Sequence, residues 1–160
     1  ATIQETDIHE ALDDTLTLLE HELGGRIQVV KIYGDLPLVT CYPGEINQVF
    51  MHLITNAVQA MPDKGIITIR TSAAINHVTI QIADTGTGIP KDQLSTLFEP
   101  DFTRQGSRVK AGLGLFTCYN IMEKHQGRIT VESEVDRGTT VTVTLPTTVM
   151  APVESGNGQQ

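Results

Sequence analysis

The chain has 160 residues, 39% of them hydrophobic, a size that suits one domain with a single core. Its formal net charge of −8 disfavours nonspecific binding to nucleic acid or to anionic lipid. Cys41 and Cys118 form no CxxC pair, which disfavours a zinc site or a disulfide framework, and no apolar run approaches the roughly 20 residues that cross a bilayer.

The first elements are a helix and a strand. Residues 1–6 are polar, and we expect them to be the remnant of a linker. Asp7 and Glu10 have the spacing of a capping box, apolar residues then recur at helical intervals, and Gly24-Gly25 ends the helix. Residues 27–33 and, more briefly, 39–42 are typical of strands.

A long helix follows, because Pro43 is a favourable first residue and the apolar positions recur with helical spacing as far as Met61. The rest of the chain predicts two hairpins around a loop-rich segment. Its elements are strands at 66–72 and 77–84, a glycine loop at 85–89, a short helix from Pro90 to about Phe98, a loop at 99–111, a helix at 113–126, strands at 128–134 and 140–145, and a disordered tail at 147–160.

This order of helices and antiparallel hairpins predicts an α+β fold, a two-layer α/β sandwich over residues 7–146. Helices would cover one face of a mixed, mostly antiparallel sheet. The other face would be partly polar, because threonines alternate with Val141, Val143 and Leu145 in the last strand.

The long helix carries a polar stripe. Gln48, His52, Asn56 and Gln59 follow one another at steps of four, four and three, which places them on one side of the helix. Amides and a neutral imidazole can contact a cation or a phosphate oxygen without adding like charge. Taken alone, the stripe is more typical of an ordinary solvated helix face.

Asp84 ends a strand and precedes Gly86 and Gly88. A carboxylate can accept a hydrogen bond from an exocyclic amine such as that of adenine, and glycines let the backbone approach a ligand. A plain strand-to-helix turn would have the same pattern. Lys91 stands where a dinucleotide fingerprint has its third glycine, and no GxxxxGK[ST] sequence is present, which excludes a P-loop.

Glycines also open the last helix, at Gly112-Leu113-Gly114-Leu115. Free N–H groups and the helix dipole favour a phosphate there. Arg104, Arg108 and Lys110 in the preceding loop could neutralise a γ-phosphate. A glycine hinge with solvated charges is the simpler reading of this segment alone.

Together these segments resemble the catalytic ATP-binding domain of sensor histidine kinases, part of the ATPase group shared with gyrase, Hsp90 and MutL. The similarity runs from about Asp7 to Pro146, and its F box favours a histidine kinase over the other members. The matching segments are QVFMHLITNA at 48–57 (N box), DTGTGI at 84–89 (G1 box), LFEPDFT at 97–103 (F box), GLGL at 112–115 (G2 box) and Gly138-Thr139.

The resemblance implies a Bergerat-type ATP-binding fold and a set of roles. Asn56 would hold Mg²⁺, Asp84 would bind the adenine amine with help from Thr139 through water, and residues 99–111 would form a lid over ATP. Asn56 and His52 are the predicted catalytic residues. The predicted nucleotide-binding residues are Asn56, Gln59, Ala60, Asp84, Gly86, Gly88, Ile89, Arg104, Arg108, Lys110, Gly112, Leu113, Gly114, Leu115 and Thr139.

The implied reaction is transfer of the γ-phosphoryl group from Mg-ATP to a histidine on a separate dimerisation and phosphoacceptor domain, since no acceptor hairpin precedes Asp7. A response regulator receiver domain would act downstream. We expect a cytoplasmic, monomeric fragment without direct contact to membrane or nucleic acid. The chain departs from the family pattern at His52, usually asparagine, at Gln59, often lysine, at Lys110, usually glycine, and at Asp101, usually aromatic.

Two alternatives remain open. An anti-sigma-type serine kinase has a similar fold and acts on a separate partner protein; an acid-stable product phosphate would favour it, whereas an acid-labile one favours histidine. A pseudokinase would use ATP only as a conformational ligand. The intact Asn56 argues against the pseudokinase, because loss of the metal ligand is the simplest route to inactivity.

Overall fold

A mixed five-stranded sheet forms one layer of the fold and helices form the other. The structure is a computed structural model that describes residues 2–100 and 114–149. Its elements in chain order are β1 (Gln4–Thr6), α1 (Ile8–Leu18), α2 (Glu20–Leu23), β2 (Ile27–Tyr33), β3 (Val39–Cys41), α3 (Pro43–Gln59), β4 (Gly65–Ala74), β5 (His77–Asp84), α4 (Lys91–Leu94), α5 (Phe116–Lys124), β6 (Arg128–Glu134) and β7 (Gly138–Pro146).

The strand order in the sheet is β2-β4-β5-β7-β6. β2 and β4 are parallel, whereas the other neighbours are antiparallel, including the two predicted hairpins β4–β5 and β6–β7. The predicted fold class, a two-layer sandwich with a mixed, mostly antiparallel sheet, is therefore confirmed.

The two faces of the sheet differ as the alternation of residues predicts. Ile80 and Val143 are paired and buried on the face that meets the helices. Gln81 and Thr142 are paired on the opposite face and remain partly exposed. The core consequently lies between the sheet and the layer of α1, α3 and α5, with α3 in contact with both other helices.

Local sequence signals explain where the first helices begin and end. The carboxylate of Asp7 caps α1, because its Oδ1 accepts from the Glu10 N–H at 3.0 Å. The predicted single helix is divided at Leu19, and α2 ends where Gly24 adopts the left-handed region with φ of 51°. Within the described residues, no helix is both long and apolar enough to span a membrane.

Both ends of the chain differ from the predicted boundaries. Gln4–Thr6, predicted as part of a linker, pair antiparallel with β3. Residues 147–149, predicted as the start of the tail, also follow β3: the Thr40 N–H donates to Thr147 O and the Val149 N–H donates to Thr40 O, both at 2.9 Å. Val149 is buried and is part of the hydrophobic core. Residues 150–160 lie outside the described part.

Other boundaries differ by a few residues. α4 ends at Leu94 rather than near Phe98, although backbone hydrogen bonds of turn type continue from Thr96 to Glu99. β7 begins at Gly138, two residues before the predicted start, because Thr139 still pairs with Asp84 of β5 and Gly138 pairs with Glu134 of β6. α5 begins at Phe116, whereas the helix was predicted to begin at Leu113, which lies outside the described part.

Candidate functional site

A cavity of about 180 Å³ lies between α3 and the sheet. Leu53, Asn56 and Ala57 of α3 line one side. The cavity floor is a cross-strand row in which Val141 pairs with Ile82 on β5 and with Val131 on β6. These apolar side chains suit a flat, largely apolar ring, and the polar residues at the rim would orient it.

The predicted catalytic and nucleotide-binding residues fall into three groups. Those that line the cavity are Asn56, Gln59, Ala60, Asp84, Gly88, Ile89, Leu115 and Thr139. Gly86 and Gly114 are described but are outside its lining, and His52 lines a neighbouring cavity. Arg104, Arg108, Lys110, Gly112 and Leu113 lie outside the described residues, so the predicted phosphate contacts of the lid and the G2 box remain predictions.

Asp84 forms the polar end of the cavity. Its Oδ1 accepts a hydrogen bond from the Gly86 N–H at 2.8 Å. Burial raises the pKa of the Asp84 carboxyl above its usual range, while hydrogen bonds from the backbone of Gly86 and Thr139 act in the opposite direction. A carboxylate held in this way presents a hydrogen-bond acceptor to any group that enters the cavity.

Thr139 lies beside Asp84 because the two residues are directly paired between β5 and β7. Thr139 is also paired with Ser133 on β6, and their hydroxyl oxygens are 2.7 Å apart. Ser133 was missed from the sequence. The signal that could have found it is the alternation Ile129, Val131, Ser133, which places a polar side chain on the inward face of β6.

The glycines next to Asp84 have a structural role that the sequence reading did not include. A Cβ on Gly86 would overlap the carbonyl of Ala60, which also accepts from the Thr87 N–H at 3.1 Å. Gly88 has φ of 77°, and a Cβ there would overlap the carbonyl of Glu134. Both glycines thus allow close packing of the chain on itself, whether or not a ligand is present.

Asn56 lies between two cavities. It lines the main one and also a second, of about 230 Å³, together with His52. The Asn56 Oδ1 and the His52 Nε2 are both buried and have no hydrogen-bond partner in the described part of the chain. Leaving such atoms unpaired is unfavourable, so two of them on adjacent turns of one helix indicate a place for a ligand.

The donor set fits a hard cation only in part. Within the described residues, no group of three or more His, Cys, Asp or Glu side chains could hold a metal. An amide oxygen such as Asn56 Oδ1 is an acceptable ligand for Mg²⁺, which commonly takes few protein ligands and completes its shell with phosphate oxygens and water. A metal here would therefore depend on a phosphate-bearing ligand.

Residues 42–149 match the family of Histidine kinase-, DNA gyrase B-, and HSP90-like ATPases. The chain belongs to this family, and within it corresponds to the catalytic ATP-binding domain of sensor histidine kinases. Sporulation kinase E of Bacillus subtilis is 36% identical over 146 residues, which are 89% of this chain and 20% of that protein. Sensor histidine kinase ZraS of Escherichia coli is 34% identical over 149 residues, 92% of this chain and 32% of that protein.

The chain thus spans about a fifth to a third of the length of these curated relatives. Solved structures have the same fold. The catalytic domain of histidine kinase ThkA has a TM-score of 0.82 at 24% identity, over 92% of this chain and 97% of that one. Mycobacterial sensor histidine kinase MprB has a TM-score of 0.78 at 23% identity, over 93% of this chain and 100% of that one.

Proposed function

We propose that the chain binds Mg-ATP and transfers its γ-phosphoryl group to a histidine on a separate dimerisation and phosphoacceptor domain, as one step of two-component signalling. The observation that carries the proposal is the composition of one cavity. Asn56, whose buried oxygen has no partner within residues 2–100 and 114–149, lines it together with Asp84 and Thr139, which provide polar groups beside an apolar floor.

In this proposal the adenine lies on the row formed by Ile82, Val141 and Val131, and Asp84 accepts from its amine. Asn56 would hold Mg²⁺ through Oδ1, and the metal would supply the partner that this buried oxygen lacks among the described residues. The bound metal would neutralise phosphate charge and orient the terminal phosphate. Alignment and charge stabilisation are then most of what the domain contributes, since the acceptor imidazole is the nucleophile.

In this proposal His52 acts in the phosphoryl transfer itself. Its Nε2 is buried, and no group in the described part of the chain pairs with it in the cavity that it shares with Asn56. A neutral imidazole there can donate or accept one hydrogen bond through Nε2. We assign it contact with a phosphate oxygen or with the acceptor imidazole.

The partners are inferred from the relatives. Sporulation kinase E and ZraS are named as kinases, and ZraS as a sensor histidine kinase, which favours histidine over serine as the acceptor. A structure of histidine kinase ThkA, 22% identical to this chain, is a complex with the response regulator protein TrrA. We propose a receiver domain of that kind as the downstream partner of the parent protein.

The experiment is incubation of the chain with labelled Mg-ATP, with and without added dimerisation and phosphoacceptor domains, followed by acid treatment. We expect acid-labile label on the acceptor, and none with Asn56→Ala. Asn47→Ala is the matched control, because Asn47 is exposed on the same helix, and it should transfer normally. Acid-stable label would favour the serine kinase, and normal transfer by Asn56→Ala would refute the role of Asn56.

A further inference from the structure

We propose that Ser133 contributes to the base specificity of the site by fixing the direction of the Thr139 hydroxyl proton. Ser133 is absent from the lining of the cavity, so it is a positioning residue that acts through Thr139. The inference rests on the proposed function, because it requires a nucleotide base beside Asp84.

The register of three strands brings the relevant groups into one row. Thr139 on β7 is paired with Asp84 on one side and with Ser133 on the other. Thr139 is 9% exposed, so little bulk water competes for its hydroxyl. Among the described residues, the hydrogen bond recorded for the Thr139 hydroxyl is the one to Ser133, with 2.7 Å between the oxygens.

The proton positions follow from counting donors around Ser133 Oγ. The Ile89 N–H donates to this oxygen at 2.8 Å. The Gly138 carbonyl lies 3.0 Å away and can only accept, so it takes the single Ser133 proton. The contact with Thr139 must then be made by the Thr139 proton, since Ser133 has no second one to give.

The Thr139 hydroxyl consequently directs its proton away from the cavity and offers only lone pairs toward it. The Asp84 carboxylate beside it also offers only lone pairs. Two adjacent acceptors suit an exocyclic amine, either directly or through one water that donates to both oxygens. A carbonyl oxygen at the same place on the base would meet acceptors alone, and an unmatched buried acceptor is disfavoured.

This predicts that the site favours a 6-aminopurine over a 6-oxopurine, and that Ser133 contributes to the preference. In Ser133→Ala the Thr139 hydroxyl loses its acceptor and can turn its proton into the cavity, where it suits a carbonyl. We expect the ratio of ATP affinity to inosine triphosphate affinity to fall about tenfold, the worth of one hydrogen bond. Ser133→Thr retains the hydroxyl and should restore the ratio.

The test is calorimetric titration of the chain with Mg-ATP and with Mg-inosine triphosphate. A double-mutant cycle with Thr139→Val separates an effect through the Thr139 hydroxyl from a nonspecific disturbance of the site. Once that hydroxyl is gone, Ser133→Ala should have no further effect on the ratio. If Ser133→Ala fails to fold, Ser133→Cys keeps the shape with a weaker hydrogen-bonding group, and the ratio should still fall.

The outcomes separate the two proposals. An unchanged ratio in Ser133→Ala, or in Ser133→Cys where the alanine variant does not fold, overturns the role of Ser133 while ATP binding by the parent chain still stands. An equal fall of the ratio when Ser133→Ala is made in the Thr139→Val background overturns it as well. Failure of the parent chain to bind either nucleotide overturns the proposed function, and the specificity role with it.

Discussion

The backbone N–H of Tyr42 donates to Nε2 of His125 at 3.2 Å, which joins the start of α3 to the end of α5. The other ring nitrogen, Nδ1, is 2.8 Å from the Ile121 carbonyl and must donate to it. His125 is therefore a neutral imidazole with both nitrogens used, and it is fully buried. Because α3 carries Asn56, this contact helps to position one wall of the cavity.

We expect His125→Leu to lower the free energy of unfolding by about 1–3 kcal/mol, because the part-buried Tyr42 N–H loses its partner and the Ile121 carbonyl loses one of its two donors. Urea denaturation of the chain measures this. His21→Leu is the control, since His21 is exposed on α2 and its change should stay within roughly 0.5 kcal/mol. Equal effects of the two substitutions would contradict the structural role of His125.

Without nucleotide, the parent chain should be less stable at neutral pH than the Asp84→Asn variant. Burial raises the pKa of this carboxyl on folding, because the folded chain favours the protonated, uncharged form. The resulting contribution to the free energy of unfolding is fully present below the ordinary pKa of 3.8 and is lost as the pH rises through the raised pKa. Urea denaturation should therefore show Asp84→Asn more stable at pH 7, with the advantage shrinking as the pH falls through that raised pKa.

The control for this prediction is Asp92→Asn, because Asp92 is exposed on α4. Because this variant keeps Asp84, its stability should follow that of the parent chain over the whole pH range. Asp84→Asn should also bind Mg-ATP more weakly, since the amide replaces one acceptor with a donor. An Asp84→Asn chain that is less stable than the parent at pH 7 would contradict the assignment of burial as the main cause of the pKa shift.

Gly88→Ala should destabilise the fold even without a nucleotide. Gly88 has φ of 77° and its missing Cβ leaves room for the Glu134 carbonyl, so an alanine would add strain of roughly 1–3 kcal/mol. Gly44→Ala, in the first turn of α3, is the matched substitution, because a Cβ there would meet no atom of the described residues within 4 Å beyond its own stretch of helix. It should leave the stability of the fold unchanged or raise it by about 0.4–1 kcal/mol. Urea denaturation of the two variants measures both changes.

Local sequence signals predicted much of the fold, but they did not predict the pairing of segments that are distant in the sequence. The helical spacing around Asn56 and the β-rich run that ends at Asp84 were visible in the sequence, and the structure places both residues in one cavity. The parallel pairing of β2 with β4 and the packing of Val149 on the core depend on contacts between distant segments. Ser133 was missed for the same reason, since its role depends on the register of β6 against β7.

Asn56→Leu should separate stability from function. The substitution removes a buried amide oxygen that has no partner in the described residues, so the chain without nucleotide should gain about 1 kcal/mol. The same substitution removes the proposed metal ligand, so added Mg-ATP should no longer raise the melting temperature. In the parent chain, ligand at 100 times its Kd should add about 2.7 kcal/mol.

Thermal melts with and without Mg-ATP measure both effects of Asn56→Leu in one series. Asn47→Leu provides the control, because Asn47 is exposed on the same helix and its substitution should preserve the stabilisation by Mg-ATP. A melting temperature that still rises with Mg-ATP in Asn56→Leu would remove Asn56 as the metal ligand. Loss of stability without nucleotide would instead indicate that the Asn56 amide is satisfied within the folded chain, since only a satisfied amide contributes to folding when no ligand is present.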